Sequence, residues 1–85
     1  MNLAKLLQRL AQGAVQNVSF ADIVALVEAL GFRLALISGS HHIFQHSGIP
    51  EQLNLQDANG QAKPYQVRQF LRLVERYNLK LEAKK

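Results

Sequence analysis

Apolar residues recur every three or four positions over the first thirty residues, which predicts two short helices. The apolar positions of the first helix are Leu3, Leu6, Leu7 and Leu10. Ser19 is the predicted N-cap of the second helix, and Asp22 three positions later gives a variant of the capping box. The buried stripe of this second helix consists of Phe20, Ile23, Val24, Val27 and Leu30. Gly13 and Gly31 are the expected ends of the two helices, because glycine readily adopts the left-handed conformation that stops a helix.

From Phe32 onward the pattern changes to apolar runs and alternation, which are typical of strands. Three strands are predicted, over residues 32–38, 41–46 and 52–56. Gly39-Ser40 forms the first turn. Ser47-Gly48-Ile49-Pro50 is expected to end the second strand and to connect it to the third. Leu53 and Leu55 would face inward there. The short connections favour an antiparallel meander.

A third helix is predicted to begin at Pro64, since the first turn of a helix tolerates proline. Its apolar stripe consists of Val67, Phe70, Leu71, Val74 and Tyr77. Residues 57–60 are expected to form a loop, and residues 80–85 a frayed basic tail. The order α-α-β-β-β-α predicts an α+β fold in which helices pack on one face of a three-stranded antiparallel sheet and the other face is open. We expect a single domain over residues 1–85.

Charge narrows the candidate partners of this small domain. Ten Lys and Arg against six Asp and Glu give a net charge of +4, which favours a polyanion such as nucleic acid. The absence of cysteine excludes disulfides and thiolate sites and fits a reducing cytoplasm. Lys5 and Arg9 interrupt any signal-peptide pattern, and no apolar stretch approaches a membrane span. We therefore expect a cytoplasmic protein without a membrane partner.

All three histidines of the chain lie within six residues, as His41, His42 and His46. Histidine is the side chain best suited to proton exchange near neutral pH. Alternation places His41 and His42 on opposite faces of the strand, so one of them must point toward the open face. A histidine beside a bound phosphodiester could take the proton of a 2′-hydroxyl or protonate the leaving 5′-oxygen. His41 and His42 are therefore the candidate catalytic residues.

The candidate RNA contacts surround these histidines in the predicted fold. Lys63 and the free N–H groups at the start of the last helix favour a phosphate. Arg68 and Arg72 could extend that contact along the RNA backbone, or could simply be a solvated face. Gln52 and Asn54 are outward amides able to meet base edges or 2′-hydroxyls.

Other interpretations remain open at this point. His42 and His46 are four residues apart on a strand, and neither Glu51 nor Asp57 makes a convincing third ligand, so neither a metal site nor a cofactor is predicted. The histidines could instead be structural. The chain could also be a non-catalytic RNA-binding module, or a protein-interaction domain that uses the open sheet, the leucine-rich first helix and Ile49.

The segment Gly39-Ser40-His41-His42-Ile43-Phe44-Gln45-His46, after Gly31-Phe32 and before a helix that opens with Lys63-Pro64, resembles the HicA family of toxins. The resemblance implies a double-stranded-RNA-binding-like fold over residues 18–78. It also implies endoribonuclease activity on mRNA and neutralisation by a HicB-type antitoxin. The family's key histidine lies in the Gly-Ser-His segment and corresponds to His41, or to His42 after a shift of one residue. Ser40 of the same segment is a candidate RNA contact.

Two features depart from the usual HicA pattern. The helix within residues 1–13 is an additional N-terminal element, which bears on how an antitoxin docks. Residues 57–64 replace a short glycine-rich link, and Tyr65-Gln66 replaces small residues after the proline. This second departure bears on the role implied for Lys63.

Overall fold

The computed structural model describes residues 2–81 of the chain. The elements in chain order are α1 (Leu3–Ala11), α2 (Phe20–Ala29), β1 (Arg33–Ser38), β2 (His41–His46), β3 (Ile49–Ala58), β4 (Gln61–Ala62) and α3 (Pro64–Arg76). The α+β class and the predicted order of helices and main strands are confirmed, and a two-residue strand is added before α3.

The helix ends follow the local chemistry read from the sequence. The Ser19 side chain accepts a hydrogen bond from the Asp22 backbone N–H at 3.4 Å, which caps α2. Asn2 caps α1 in the same way through the Lys5 N–H at 3.1 Å. Gly31 has φ +101°, the left-handed conformation expected just beyond the end of α2.

The four strands form one antiparallel sheet in the order β1-β2-β3-β4. The third strand is longer than predicted, because it begins at Ile49 and includes Pro50. The turn before it therefore consists of Ser47 and Gly48 alone. Proline is tolerated at this position because β4 pairs only with Asp57 and Ala58, which leaves that side of β3 an edge. The predicted 57–60 loop shrinks to a turn at residues 59–60.

The core lies between the helices and one face of the sheet. Its fully buried members include Ile23, Leu26, Val27, Phe44, Leu53, Leu55, Val67 and Phe70. Leu53 and Leu55 face this core as predicted, while Asn54 between them is half-buried on the opposite face. We call the face that carries Asn54 the open face, and the face toward the helices the inner face.

The N-terminal helix α1 packs against α2 and α3. Leu6 and Leu10 are buried there, and Ile49 is only 6% exposed. These residues therefore do not form the interaction patch that the sequence suggested for α1 and Ile49. Of the predicted tail 80–85, residues 82–85 lie outside the described residues. None of the helices within residues 2–81 has the length and apolar character needed to cross a membrane.

Candidate functional site

The three histidines of β2 are divided between the two faces of the sheet. His41 lies on the open face beside Asn54, with 3.3 Å between Nδ1 of the imidazole and Oδ1 of the amide. His42 and His46 lie on the inner face, where their rings meet Phe20 and Phe32 edge-on. Because His41 and His42 are on opposite sides of a central strand, they cannot flank one phosphodiester together.

His42 is held in one tautomer by the turn that precedes it. Its Nδ1 lies 3.2 Å from the backbone carbonyl oxygen of Ser40, and a carbonyl can only accept a hydrogen bond, so Nδ1 carries the proton. The Phe20 ring packs against the imidazole with centroids 4.8 Å apart. The other nitrogen, Nε2, has no hydrogen-bond partner among residues 2–81. It is therefore the basic atom of a half-buried, oriented ring.

The start of α3 is tied to the same end of the sheet. Gln66, 3% exposed, accepts the Gln56 backbone N–H at 2.7 Å through its side-chain oxygen. Gln56 is opposite His41 in the ladder, so the first turn of α3 packs at the level of the histidine pair. The start of α2 is joined to the turn before β4, because the Phe20 backbone N–H donates to the Gly60 carbonyl at 2.8 Å.

Lys63 is the N-cap residue of α3 and follows β4 directly. Its side chain makes no capping hydrogen bond, and Pro64 after it has no N–H to donate. Ala62, just before Lys63, pairs with Asp57, and the Asp57 N–H donates to the Ser40 carbonyl at 3.0 Å, so the positive end of the α3 dipole lies at the end of the sheet that carries the Ser40 turn. We call Ser40, His42 and Lys63 together the inner-face site.

The other predicted RNA contacts are distributed away from this site. Asn54 lies with His41 on the open face. Gln52 and Arg72 line a shallow groove of about 190 Å³ between β3 and α3. Arg68 is exposed on α3 one turn before Arg72, and neither forms an ion pair within residues 2–81. The structure therefore does not gather the predicted site residues on one surface.

Arg76, which follows Arg68 and Arg72 at the same four-residue spacing on α3, is paired with a residue of the sheet. Its guanidinium lies 3.1 Å from Glu51 of β3, and the Tyr77 hydroxyl donates to the same carboxylate at 2.5 Å. The hydrogen bond from Tyr77 is the largest cause of a lowered pKa at Glu51, and the Arg76 charge adds a smaller effect in the same direction. The same contact raises the pKa of Tyr77. This cluster fixes the end of α3 on the sheet.

A comparison with family models decides the identity of the domain. The model described as "HicA toxin of bacterial toxin-antitoxin" matches residues 20–75, which span α2, the whole sheet and nearly all of α3. The chain belongs to the HicA toxin family. The α1 helix lies outside the matched region, so it is an additional N-terminal element of this HicA chain. No curated protein and no solved structure gives a significant match.

His46 of this HicA chain has a structural role that the sequence did not reveal. Its Nε2 donates to the Leu30 carbonyl at 3.2 Å, and its Nδ1 accepts the Gly48 N–H at 2.9 Å. Both ring nitrogens are thus used in joining the end of α2 to the β2–β3 turn. The sequence feature connected with this contact is Gly31, because a Cβ on residue 31 would lie only 2.9 Å from the His46 Nε2.

Two further residues of the site region were missed at the sequence level. Phe20 was read only as core, although its ring orients His42. Gln66 was read only as a departure from the family pattern, although it is the one buried polar residue within residues 2–81. The sequence signal for the burial of Gln66 was its place beside Val67, which belongs to the apolar stripe of α3. In the same described range, His, Asp and Glu do not form a group of three that could hold a metal ion.

Proposed function

We propose that this HicA family member is an endoribonuclease toxin that cleaves mRNA in the cytoplasm through proton transfer by His42, and that a HicB-type antitoxin neutralises it. The observation that carries the proposal is the orientation of His42. The Ser40 carbonyl holds the proton on Nδ1, and Nε2 is left free to accept another. A preceding backbone carbonyl and a flanking aromatic ring orient an imidazole in the manner that general base catalysis requires.

In the proposed reaction the His42 Nε2 accepts the proton of an RNA 2′-hydroxyl. The 2′-oxygen attacks the adjacent phosphorus, a new O2′–P bond forms, and the P–O5′ bond breaks. Water protonates the departing 5′-oxygen, and the hydroxide that remains takes the proton from the His42 imidazolium, which restores the base. The products are a 2′,3′-cyclic phosphate and a 5′-hydroxyl end, and no metal ion is needed because the imidazole itself activates the nucleophile.

Negative charge builds on the phosphoryl oxygens as the 2′-oxygen attacks. Lys63 and the N-terminus of α3 supply positive potential at this end of the fold, which favours the transition state over the ground state. The Ser40 hydroxyl at the turn can donate to the same phosphate. Arg68 and Arg72 are exposed along α3, away from the inner-face site, and in this proposal they contact phosphates further along the RNA strand.

The open face supports a second candidate function, sequence-tolerant RNA binding without cleavage. His41, Asn54 and Gln56 form a polar surface there, and Gln52 follows on the same strand. Amides and an imidazole on an exposed sheet can contact 2′-hydroxyls and base edges. In the catalytic proposal this surface contributes affinity rather than chemistry.

The test is to incubate the purified protein with a defined single-stranded RNA in EDTA and to identify the product ends. The proposal predicts 2′,3′-cyclic phosphate and 5′-hydroxyl ends with wild type. It predicts a loss of about 10²- to 10⁴-fold in rate for His42→Ala. The variant must retain the wild-type circular dichroism spectrum and cooperative unfolding. RNA that is bound but intact would leave only the binding function, and cleavage that stops in EDTA would refute the metal-free reaction.

A further inference from the structure

The edge strand β1 exposes apolar side chains that the protein itself does not cover. Leu34, Leu36 and Ile37 are 42%, 59% and 54% exposed, and all six residues of β1 are exposed. With Tyr65 they are the large exposed hydrophobic residues found within residues 2–81. β1 pairs only with β2, so the backbone groups along its outer side have no strand partner.

The apolar side chains of β1 project from both faces of the sheet. Leu34 is opposite the buried Phe44, and Ile37 is opposite His42, so both belong to the inner face. Leu36 is opposite Ile43 on the open face. A partner that covers only one face would leave part of this apolar surface in water. A strand that continues the sheet beside β1 covers both faces at once.

We propose that a second copy of this chain pairs with β1 in antiparallel orientation, which joins two four-stranded sheets into one. A second copy fits this edge because β1 is complementary to itself. In the register that pairs all six residues, Leu34 meets Ile37 of the second copy on the inner face. Ala35 meets Leu36 on the open face, since Ala35 follows the inward Leu34 and the ladder irregularity lies between Leu34 and Leu36. Every pair in this register consists of residues from the same face.

The charges on the chain do not oppose this pairing. The segment from Leu34 to Ile37 has no charged residue, and Arg33 falls opposite Ser38 of the second copy. The two Arg33 residues are then about 17 Å apart along the strands, at about 3.4 Å per residue. That separation exceeds the Debye length of about 8–10 Å at physiological ionic strength, so their repulsion is screened.

The pairing also completes the open face. His41 is opposite Ser38 in the ladder, and Ser38 would be opposite Arg33 of the second copy. Two strand spacings of about 4.8 Å place that arginine backbone about 10 Å from His41 on the same face, within reach of the long side chain. Within one chain, Arg33 lies at the far end of β1, opposite Gln45. The second copy thus adds a cation beside the His41–Asn54 pair.

The first measurement is the molar mass by sedimentation equilibrium over a concentration series from about 1 µM to about 1 mM. Wild type is expected to reach twice the monomer mass as concentration rises. Leu36→Lys, which places like charges at the centre of the pairing, is expected to remain monomeric. Tyr65→Lys is the matched control, because it adds the same charge at a similarly exposed hydrophobic residue outside β1, and it should behave like wild type.

The second measurement tests the register and uses the absence of natural cysteine in the chain. A mixture of Arg33→Cys and Ser38→Cys chains should form a disulfide on oxidation, because directly opposite residues lie within about 4.5–5.5 Å. Each variant alone should not, because its two cysteines are about 17 Å apart. A wild type that stays monomeric over the whole series would overturn the proposal, as would equal crosslinking of either variant alone. Hydrogen exchange of the β1 amides gives a further check. If these amides are protected only when another protein is present, the self-pairing proposal is overturned and the strand belongs to that partner.

Discussion

The clearest quantitative prediction concerns His46, whose ring we assign to stability rather than to chemistry. In His46→Ala the chain loses the bonds to the Leu30 carbonyl and the Gly48 N–H, and it loses the edge contact with Phe32. Two hydrogen bonds at about 1 kcal/mol each and one ring contact at about 0.5–1.5 kcal/mol give a loss of about 2.5–3.5 kcal/mol in the free energy of unfolding. For a domain of this size, that lowers Tm by about 10–28 °C.

The assay is urea unfolding followed by circular dichroism, with His41→Ala as the matched control. That control removes a histidine of the same strand which makes one side-chain hydrogen bond, so it should cost only about 0.5–1.5 kcal/mol. Equal stability of the two variants would refute the assignment. Gly31→Ala supplies an independent check. Its Cβ meets His46 Nε2, so part of its cost should disappear in the His46→Ala background, with a coupling of about 0.5–3 kcal/mol.

Two further predictions concern charge. The hydrogen bond from Tyr77 lowers the pKa of Glu51 in the folded state below its ordinary pKa of 4.5, which applies in the unfolded state. The folded state therefore binds fewer protons at Glu51 than the unfolded state does. The stabilisation is present above the ordinary pKa and is lost as pH falls through the folded pKa, so Glu51→Gln should flatten the decline of the urea midpoint as pH falls below 4.5. For RNA binding, Arg68→Ala and Arg72→Ala should each reduce the slope of log affinity against log salt by about 0.7. Arg76→Ala, whose guanidinium is already paired with Glu51, should leave the slope unchanged.

The sequence predicted the order of the helices and of the three main strands because its patterns are local and periodic. The Ser19 cap, the Gly31 stop and the alternation of Leu53 and Leu55 each depend on neighbours within a few residues, and each is confirmed. The misplaced start of β3 has the opposite origin. Pro50 is a turn signal by itself, and only the short pairing of β4 makes its position an edge where proline fits.

The site was less predictable because it depends on contacts distant in sequence. Alternation showed that His41 and His42 face opposite ways, but it could not say which one met the helices. That was decided by Phe20, twenty-two residues earlier, whose ring packs on His42. The role of His46 likewise depends on Leu30, which is sixteen residues away. The three histidines that are neighbours in the sequence therefore lie on both faces of the sheet, His42 and His46 on the inner face and His41 on the open face.

The most direct test of the central claim is the single-turnover cleavage rate of one RNA in EDTA by wild type, His41→Ala and His42→Ala, each of verified fold. We expect His42→Ala to lose about 10²- to 10⁴-fold in rate, and His41→Ala to cleave within about tenfold of wild type at saturating protein. An inactive His41→Ala beside an active His42→Ala would contradict the assignment and move the chemistry to the open face.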